Sequence, residues 1–175
     1  MDELLLAIEN DNLVKIRSLL EGGLDLSEPV IIGEEYGLDE PDEISILFYA
    51  IRNYATIEAI ELLLKYGVDI NQSDENGITA LDIAIKYKRH DIIKLSIDRG
   101  IDINDSRRKS GITPIMLASC FSSIETIELL LEYGADINAK DNHGMTPKDY
   151  ARKLGQKKVQ EYLTLKGGEF SIYET

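Results

Sequence analysis

The sequence predicts an all-α solenoid, and three observations carry this prediction. Residues 57–71 read IEAIELLLKYGVDIN, residues 124–138 read IETIELLLEYGADIN, and residues 90–104 hold a more divergent copy. A glycine closes each copy, and successive closing glycines are 33 or 34 residues apart: Gly67, Gly100 and Gly134. Within each copy, apolar residues recur at the spacing of one helix face. A sustained period of this length is typical of a stacked array of short two-helix units.

The first helix of each full unit is predicted to begin at a threonine that caps its N-terminus: Thr79, Thr113 and Thr146. Pro114 and Pro147 come directly after two of them, at the first helical position, where the missing N–H has no intrahelical partner to lose. Asp82 and Asp149 stand three residues after their threonines, which is the spacing of a reciprocal capping box. Small residues recur within these helices and would let neighbouring units approach closely: Ala50, Ala84, Ala118 and Ala151.

The second helix of each unit is predicted from apolar residues on one face, as at Ile57, Ile60 and Leu64. The closing glycine follows at the place where a left-handed residue ends a helix. In the middle copy, Ser96 stands where the other two copies have leucine. We therefore expect this second helix to be the weakest joint of the array.

These motifs resemble the ankyrin repeat, whose pattern reads approximately D-x-x-G-x-T-P-L-H-x-A, then two helices, then L-L-L-x-x-G-A-D-V-N. Residues 111–146, GITPIMLASCFSSIETIELLLEYGADINAKDNHGMT, match the pattern best. The histidine of the pattern is replaced in this sequence by Phe48, Asp82, Met116 and Asp149. The resemblance implies one domain over residues 1–166, with five units and atypical capping units at both ends: 2–27, 28–72, 73–105, 106–140 and 141–166.

Two segments depart from the regular repeat. The second unit is about ten residues longer than the later ones, and the insert lies within VIIGEEYGLDEPDE. Residues 167–175 form a C-terminal tail, which we expect to fray, although Phe170 and Tyr173 could instead dock on the last unit.

Little in the sequence points to catalysis, to a cofactor or to a metal. It contains one cysteine, Cys120, and two histidines, His90 and His143, which are too few for a four-ligand zinc site in one molecule. It has neither a G-x-S-x-G elbow nor a phosphate-binding glycine loop. The start of the sequence is acidic where a signal peptide would be basic, and no apolar run is long enough to span a membrane. These features predict a non-enzymatic, cytoplasmic protein.

The net charge of −13 is unevenly distributed. Residues 1–43 contain 13 acidic residues beside only Lys15 and Arg17. Such a balance argues against nucleic acid and anionic membranes as partners, because both require a basic surface. It favours a partner with a basic surface, such as a toxin or a nuclease, although acidity also promotes solubility.

The resemblance also implies a binding surface. Ankyrin repeats usually bind one protein through a concave face made of hairpin tips and the exposed ends of the first helices. The helix-end positions that match are Arg52, Asn53, Lys86, Tyr87, Cys120, Phe121 and Lys153. The hairpin positions are Ile78, Ile112, His143 and Met145. Exposed aromatic residues beside cations are typical of interface hot spots, but Tyr87 and Phe121 could also fold back between the helices.

The insert adds a second candidate contact through Glu34, Glu35, Tyr36, Asp39 and Glu40. We interpret the chain as a protein-binding module, monomeric when free, that serves as a stoichiometric inhibitor, an immunity-type protein or an adaptor. The alternative is an accessory protein that handles haem or a metal through His143 or Tyr36.

Overall fold

A computed structural model describes residues 1–32, 42–121 and 123–171. The helices and strands in these ranges are α1 (Asp2–Glu9), α2 (Leu13–Glu21), β1 (Val30–Ile32), β2 (Asp42–Ile44), α3 (Ile46–Arg52), α4 (Ile57–Lys65), α5 (Ala80–Lys86), α6 (His90–Asp98), α7 (Pro114–Cys120), α8 (Ile124–Glu132), α9 (Pro147–Lys153) and α10 (Lys157–Leu165). Helix follows helix in short pairs, and the only strands in the described ranges are three residues long. This confirms the all-α fold class.

The chain has two compact units, Met1–Gln72 and Ser73–Thr175, and the boundary coincides with a predicted repeat boundary. In the first unit, α1 packs on α2, α2 on α4 and α3 on α4. The strands β1 and β2 pair antiparallel, with Val30 opposite Ile44. Val30 is buried, so this end of the insert belongs to the core of the unit. The predicted contact residues Glu34, Glu35, Tyr36, Asp39 and Glu40 lie outside the described residues.

The second unit stacks three helix pairs, with α7 packed between α5 and α9. The alanines of these first helices, Ala84, Ala118 and Ala151, are each 0% exposed, as expected for close approach of neighbouring repeats. Capping follows the prediction at Thr79 and Thr146, which form reciprocal capping boxes with the carboxylates three residues later. Thr113 also occupies an N-cap position, but its hydroxyl has no partner in the described structure, and its N–H donates to the Met116 thioether at 3.4 Å.

Asparagine side chains connect successive repeats of the second unit. Asn104 accepts a hydrogen bond from the Asp136 N–H at 2.8 Å and donates one to the Gly134 carbonyl at 3.0 Å. Asn138 repeats both bonds one unit later, to the Glu169 N–H at 2.8 Å and the Gly167 carbonyl at 3.2 Å. Each asparagine therefore holds the backbone of the next closing turn at two points.

The C-terminal segment docks on the last helix pair, and the expected fraying is wrong for residues 167–171. The Phe170 ring lies 4.2 Å from the Lys148 ammonium and 4.6 Å from the Arg152 guanidinium, measured to the ring centroid. Lys148 also donates to the Gly168 carbonyl at 3.2 Å, and the Ser171 N–H donates to the Asp149 carboxylate at 3.0 Å. The alternative that Phe170 docks on the last unit is thus confirmed, while Tyr173 lies outside the described residues.

The weak position predicted in the middle repeat has a structural counterpart. Ser96 is 0% exposed, and its hydroxyl has no hydrogen-bond partner in the described part of the chain. A buried polar group without a partner destabilises a fold by roughly 1 to 3 kcal/mol. The middle repeat therefore carries an uncompensated hydroxyl in addition to the loss of a leucine side chain.

We expect Ser96→Ala to raise the free energy of unfolding by about 1 kcal/mol, because it removes this hydroxyl and leaves the packing nearly unchanged. Ser119→Ala is the matched control, since Ser119 is equally buried but donates its hydroxyl to the Ile115 carbonyl at 2.8 Å. Urea unfolding of both variants provides the measurement. If Ser96→Ala unfolds at a urea concentration no higher than that of Ser119→Ala, the Ser96 hydroxyl does not destabilise the middle repeat.

Candidate functional site

The predicted helix-end contact residues of the second unit, together with Leu154, fall into two rows at the ends of its first helices. The last residue of each helix forms one row, and the residue that follows it, the C-cap, forms the other. Since α5 packs on α7 and α7 on α9, the rows run side by side across three repeats. We call these six residues the helix-end surface: Lys86, Cys120 and Lys153 in the first row, and Tyr87, Phe121 and Leu154 in the second.

Identical turns hold this register in successive repeats. After each first helix the chain reverses and bonds back to the helix alanine, as in the Arg89 N–H to Ala84 carbonyl bond at 2.8 Å and the Gln156 N–H to Ala151 carbonyl bond at 2.7 Å. The turn requires a residue with positive φ, supplied by Lys88 at 56° in one repeat. The spacing from the buried alanine therefore fixes where each helix-end residue lies.

The exposure of the two rows differs. Lys86 and Lys153 are exposed, whereas Cys120 is half-buried. In the second row, Leu154 is 51% exposed, and Tyr87 and Phe121 are half-buried. The Lys86 ammonium lies 5.7 Å from the centroid of the Tyr87 ring. The surface thus presents apolar area beside cations, and its two aromatic side chains are only partly accessible to a partner.

Cys120 lies in the middle of this surface and has the properties of a packed thiol. Burial raises its pKa, and the positive charges of Arg108 and Lys153 only partly oppose this effect. A thiol with a raised pKa stays protonated near neutral pH and is a poor nucleophile. Two cations therefore lie close enough to affect Cys120: Arg108, from the hairpin before α7, and Lys153, from the end of α9.

The hairpin tips are shaped by aspartates, and sequence reasoning did not assign Asp141 this role. Its buried side chain accepts bonds from the Tyr150 hydroxyl at 2.7 Å and from the N–H groups of His143 and Met145. Burial would raise the pKa of Asp141, but these hydrogen bonds outweigh it and hold that pKa below its usual range. The signal was the position of Asp141 just before the turn glycine, because an aspartate there bonds the backbone two residues on.

The remaining hairpin candidates lie where the sequence predicted them. Ile78, Ile112 and Met145 are half-buried beside the turn glycines. The side chain of His143 is 75% exposed, with its Nδ1 atom 3.7 Å from the Asp141 carboxylate. Within the described ranges, no group of three or more histidine, cysteine, aspartate or glutamate side chains is arranged to hold a metal ion.

Comparison with known proteins identifies the repeats. A model of ankyrin repeats in three copies matches residues 4–107 and 97–173, which covers most of the chain. The chain belongs to the ankyrin-repeat family. This confirms the resemblance found in the sequence, and it means that the chain carries a protein–protein interaction module. No helix in the described part of the chain is long and apolar enough to cross a membrane.

Relatives share parts of this array within larger proteins. The chain is 35% identical over 109 residues to an ankyrin repeat protein of Fowlpox virus (strain NVSL), covering 61% of the chain and 31% of the relative. It is 37% identical over 90 residues to ankyrin repeat and SOCS box protein 6 of Pongo abelii, covering 50% and 21%. Glycerophosphocholine phosphodiesterase GDE1 of Candida albicans is 26% identical over 132 residues, covering 74% and 11%. The chain therefore spans less than a third of each of these relatives.

In the first unit, the ankyrin helix-end positions are occupied by polar residues. Arg52 ends α3 and Asn53 is its C-cap, and both are exposed. The Asn53 amide donates to the Tyr49 carbonyl at 2.9 Å, and the Tyr49 hydroxyl donates to the Glu9 carboxylate. These bonds fix the end of α3 but leave this stretch without the apolar row present in the second unit.

Proposed function

We propose that this chain is a non-enzymatic module that binds one protein partner through the helix-end surface of its second unit. The observation that carries the proposal is the apolar row of Tyr87, Phe121 and Leu154 flanked by Lys86 and Lys153. Aromatic side chains beside cations dominate the binding energy of many interfaces. The half-buried hairpin residues Ile78, Ile112 and Met145, with His143, extend the candidate contact.

The chemistry of the candidate side chains supports a binding role over a catalytic one. The protonated thiol of Cys120 and the exposed imidazole of His143 belong to different elements, and no bond between them is present in the described structure. The relative from Candida albicans bears the name of an enzyme, but the match covers only 11% of that protein. We assign no catalytic residue to the chain.

The charge of the first unit supports a partner with a basic surface, such as a toxin or a nuclease. Residues 1–43 carry 13 acidic side chains and two basic ones. Opposite charges steer two proteins together and raise the association rate, an effect that salt screens. In this proposal the insert residues Glu34, Glu35, Tyr36, Asp39 and Glu40 contribute to the first encounter, while Arg52 and Asn53 belong to the contact face. A stoichiometric inhibitor, immunity-type protein or adaptor that is monomeric when free and cytoplasmic fits these features.

The test begins with capture of the partner by the immobilised chain and its identification by mass spectrometry. Calorimetry then measures its affinity for Tyr87→Ala and Phe121→Ala, each of which is expected to lose more than about 1 kcal/mol of binding energy. Tyr133→Ala serves as the control, because Tyr133 is 43% exposed at the end of a second helix. A partner that binds both variants as tightly as the control would show that the contact lies elsewhere.

A further inference from the structure

The two units differ strongly in charge. The first unit contains 16 acidic and four basic residues, whereas the second contains 16 acidic and 15 basic residues. The second unit is therefore nearly neutral overall. What a partner meets there depends on where the charged side chains of this unit lie.

Around the helix-end surface the carboxylates are already engaged. Asp82 accepts the Thr79 N–H at 2.8 Å and lies 3.4 Å from the Arg108 guanidinium. Asp149 accepts the Thr146 N–H at 2.9 Å and lies 3.2 Å from Arg152. Asp141 is occupied by the Tyr150 hydroxyl and by its own hairpin. These three side chains are at most 9% exposed and offer no free negative charge to a partner.

Exposed carboxylates of this unit lie both on the second helices, as Glu125, Glu128 and Glu132 do on α8, and in the segments between helix pairs, as Asp74, Glu75 and Asp105 do. The hairpin before α5 carries the exposed Asp74 and Glu75, and the next hairpin carries Arg107 and Lys109 beside the exposed Asp105. The first helices end in Lys86 and Lys153, both exposed. The six residues of the helix-end surface therefore carry two positive charges, on Lys86 and Lys153, and no negative charge.

The distance between Lys86 and Lys153 determines how long a peptide must be to contact both. Neighbouring packed helices lie about 8 to 10 Å apart, so two repeat steps separate Lys86 from Lys153 by roughly 16 to 20 Å. An extended peptide rises about 3.3 Å per residue and covers this distance in about six residues. Between the lysines, such a peptide would pass the apolar row of Tyr87, Phe121 and Leu154.

We infer that the helix-end surface binds an extended acidic segment of a partner, with carboxylates near Lys86 and Lys153 and apolar side chains on the row between them. The inference rests on the proposed function and assigns a partner chemistry to that same surface. The partner would then contact the acidic first unit through a basic region, and the helix-end surface of the second unit through an acidic segment.

A synthetic peptide of sequence EELGYGLEE, labelled with fluorescein, tests the inference by anisotropy with the full chain. We expect saturable binding that weakens as salt is raised, and no binding of a counterpart with lysine in place of glutamate. The double variant Lys86→Glu/Lys153→Glu should weaken binding at least tenfold. Lys157→Glu/Lys158→Glu makes the same change of charge at exposed residues of α10 and should leave binding unchanged.

Circular dichroism of both double variants checks that they remain folded. The inference is overturned if the acidic peptide does not bind, or if the two double variants bind it equally. Dimerisation of the chain alone, lost in Lys86→Glu/Lys153→Glu, would also overturn it by making a second copy the occupant. The proposed function is judged separately, because a captured partner that loses affinity with Tyr87→Ala and Phe121→Ala supports it whatever the peptide does.

Discussion

Truncation after Lys166 is expected to lower the free energy of unfolding of the second unit by about 5 kcal/mol. The segment that is lost donates to or accepts from Asn138, Thr146, Lys148 and Asp149. Each such bond contributes about 1 kcal/mol net, and the cations on the Phe170 ring add roughly 0.5 to 2 kcal/mol. Removing the segment also takes one hydrogen-bond partner from Lys148 and one from Asp149, which are 9% and 2% exposed in the full chain.

Urea unfolding of the truncated chain measures this loss, and truncation after Ser171 is the control because it retains every contact named above. Phe170→Ala alone should lose about 2 kcal/mol, since it removes the ring and both cation contacts. If the two truncations unfold at the same urea concentration, residues 167–171 contribute nothing to the stability of the array.

The truncation should also change the response to acid. Burial would raise the pKa of Asp149, but hydrogen bonds from Thr146 and Ser171 outweigh it and hold that pKa below the usual 3.8. A carboxyl with a lowered folded-state pKa contributes stability above its ordinary pKa and loses it as pH falls through the lower value. The full chain should therefore lose more stability than the truncated chain when the pH is lowered below about 4.

Gly77→Ala is expected to destabilise the second unit by about 2 to 5 kcal/mol. A Cβ atom at this position would lie 2.1 Å from the Arg107 carbonyl oxygen, and the residue has a φ of 77°. The left-handed conformation alone disfavours alanine by roughly 1 to 2 kcal/mol, and the collision with backbone adds an overpacking term of about 1 to 3 kcal/mol. To accommodate the added methyl group, the hairpin that contains Gly77 and the hairpin that contains Arg107 would have to move apart.

Gly100→Ala separates these two effects. Gly100 has a φ of 88°, but no described atom lies within 4 Å of where its Cβ would be. This control should lose only the conformational part, about 1 to 2 kcal/mol. Thermal or urea unfolding that shows equal losses in both variants would mean that the hairpins adjust to the added methyl group.

Most of the fold could be predicted from the sequence because the repeat is local. The capping boxes at Thr79 and Thr146 need only residues three apart, and the closing glycines take positive φ values as their position requires. The docking of the C-terminal segment was given only as an alternative to fraying, although Gly167 follows Gly134 by 33 residues, which is the period of the repeat. The sequence already showed that Met116 replaces the carboxylate after Thr113, but it did not show that the Thr113 hydroxyl would have no partner in the described structure.

The candidate site could be predicted in position but not in detail. The period alone placed Lys86, Cys120 and Lys153 in one row. The half-burial of Tyr87 and Phe121 depends on packing between repeats, which no local pattern specifies. The engagement of Asp82 by Arg108, a residue of the following hairpin, likewise depends on the distance between repeats.

The asparagine contacts have a consequence for how such arrays change in length during evolution. Asn104 and Asn138 bind only backbone atoms of the turn that follows, so the side chains of that turn are free to vary. Asp136 in one turn and Glu169 in the next satisfy the same bond through their N–H groups. A duplicated or deleted repeat would therefore meet a compatible neighbour at once, without a second substitution to restore the joint. Gene duplication can then lengthen or shorten the array first and leave selection to adjust its surface afterwards.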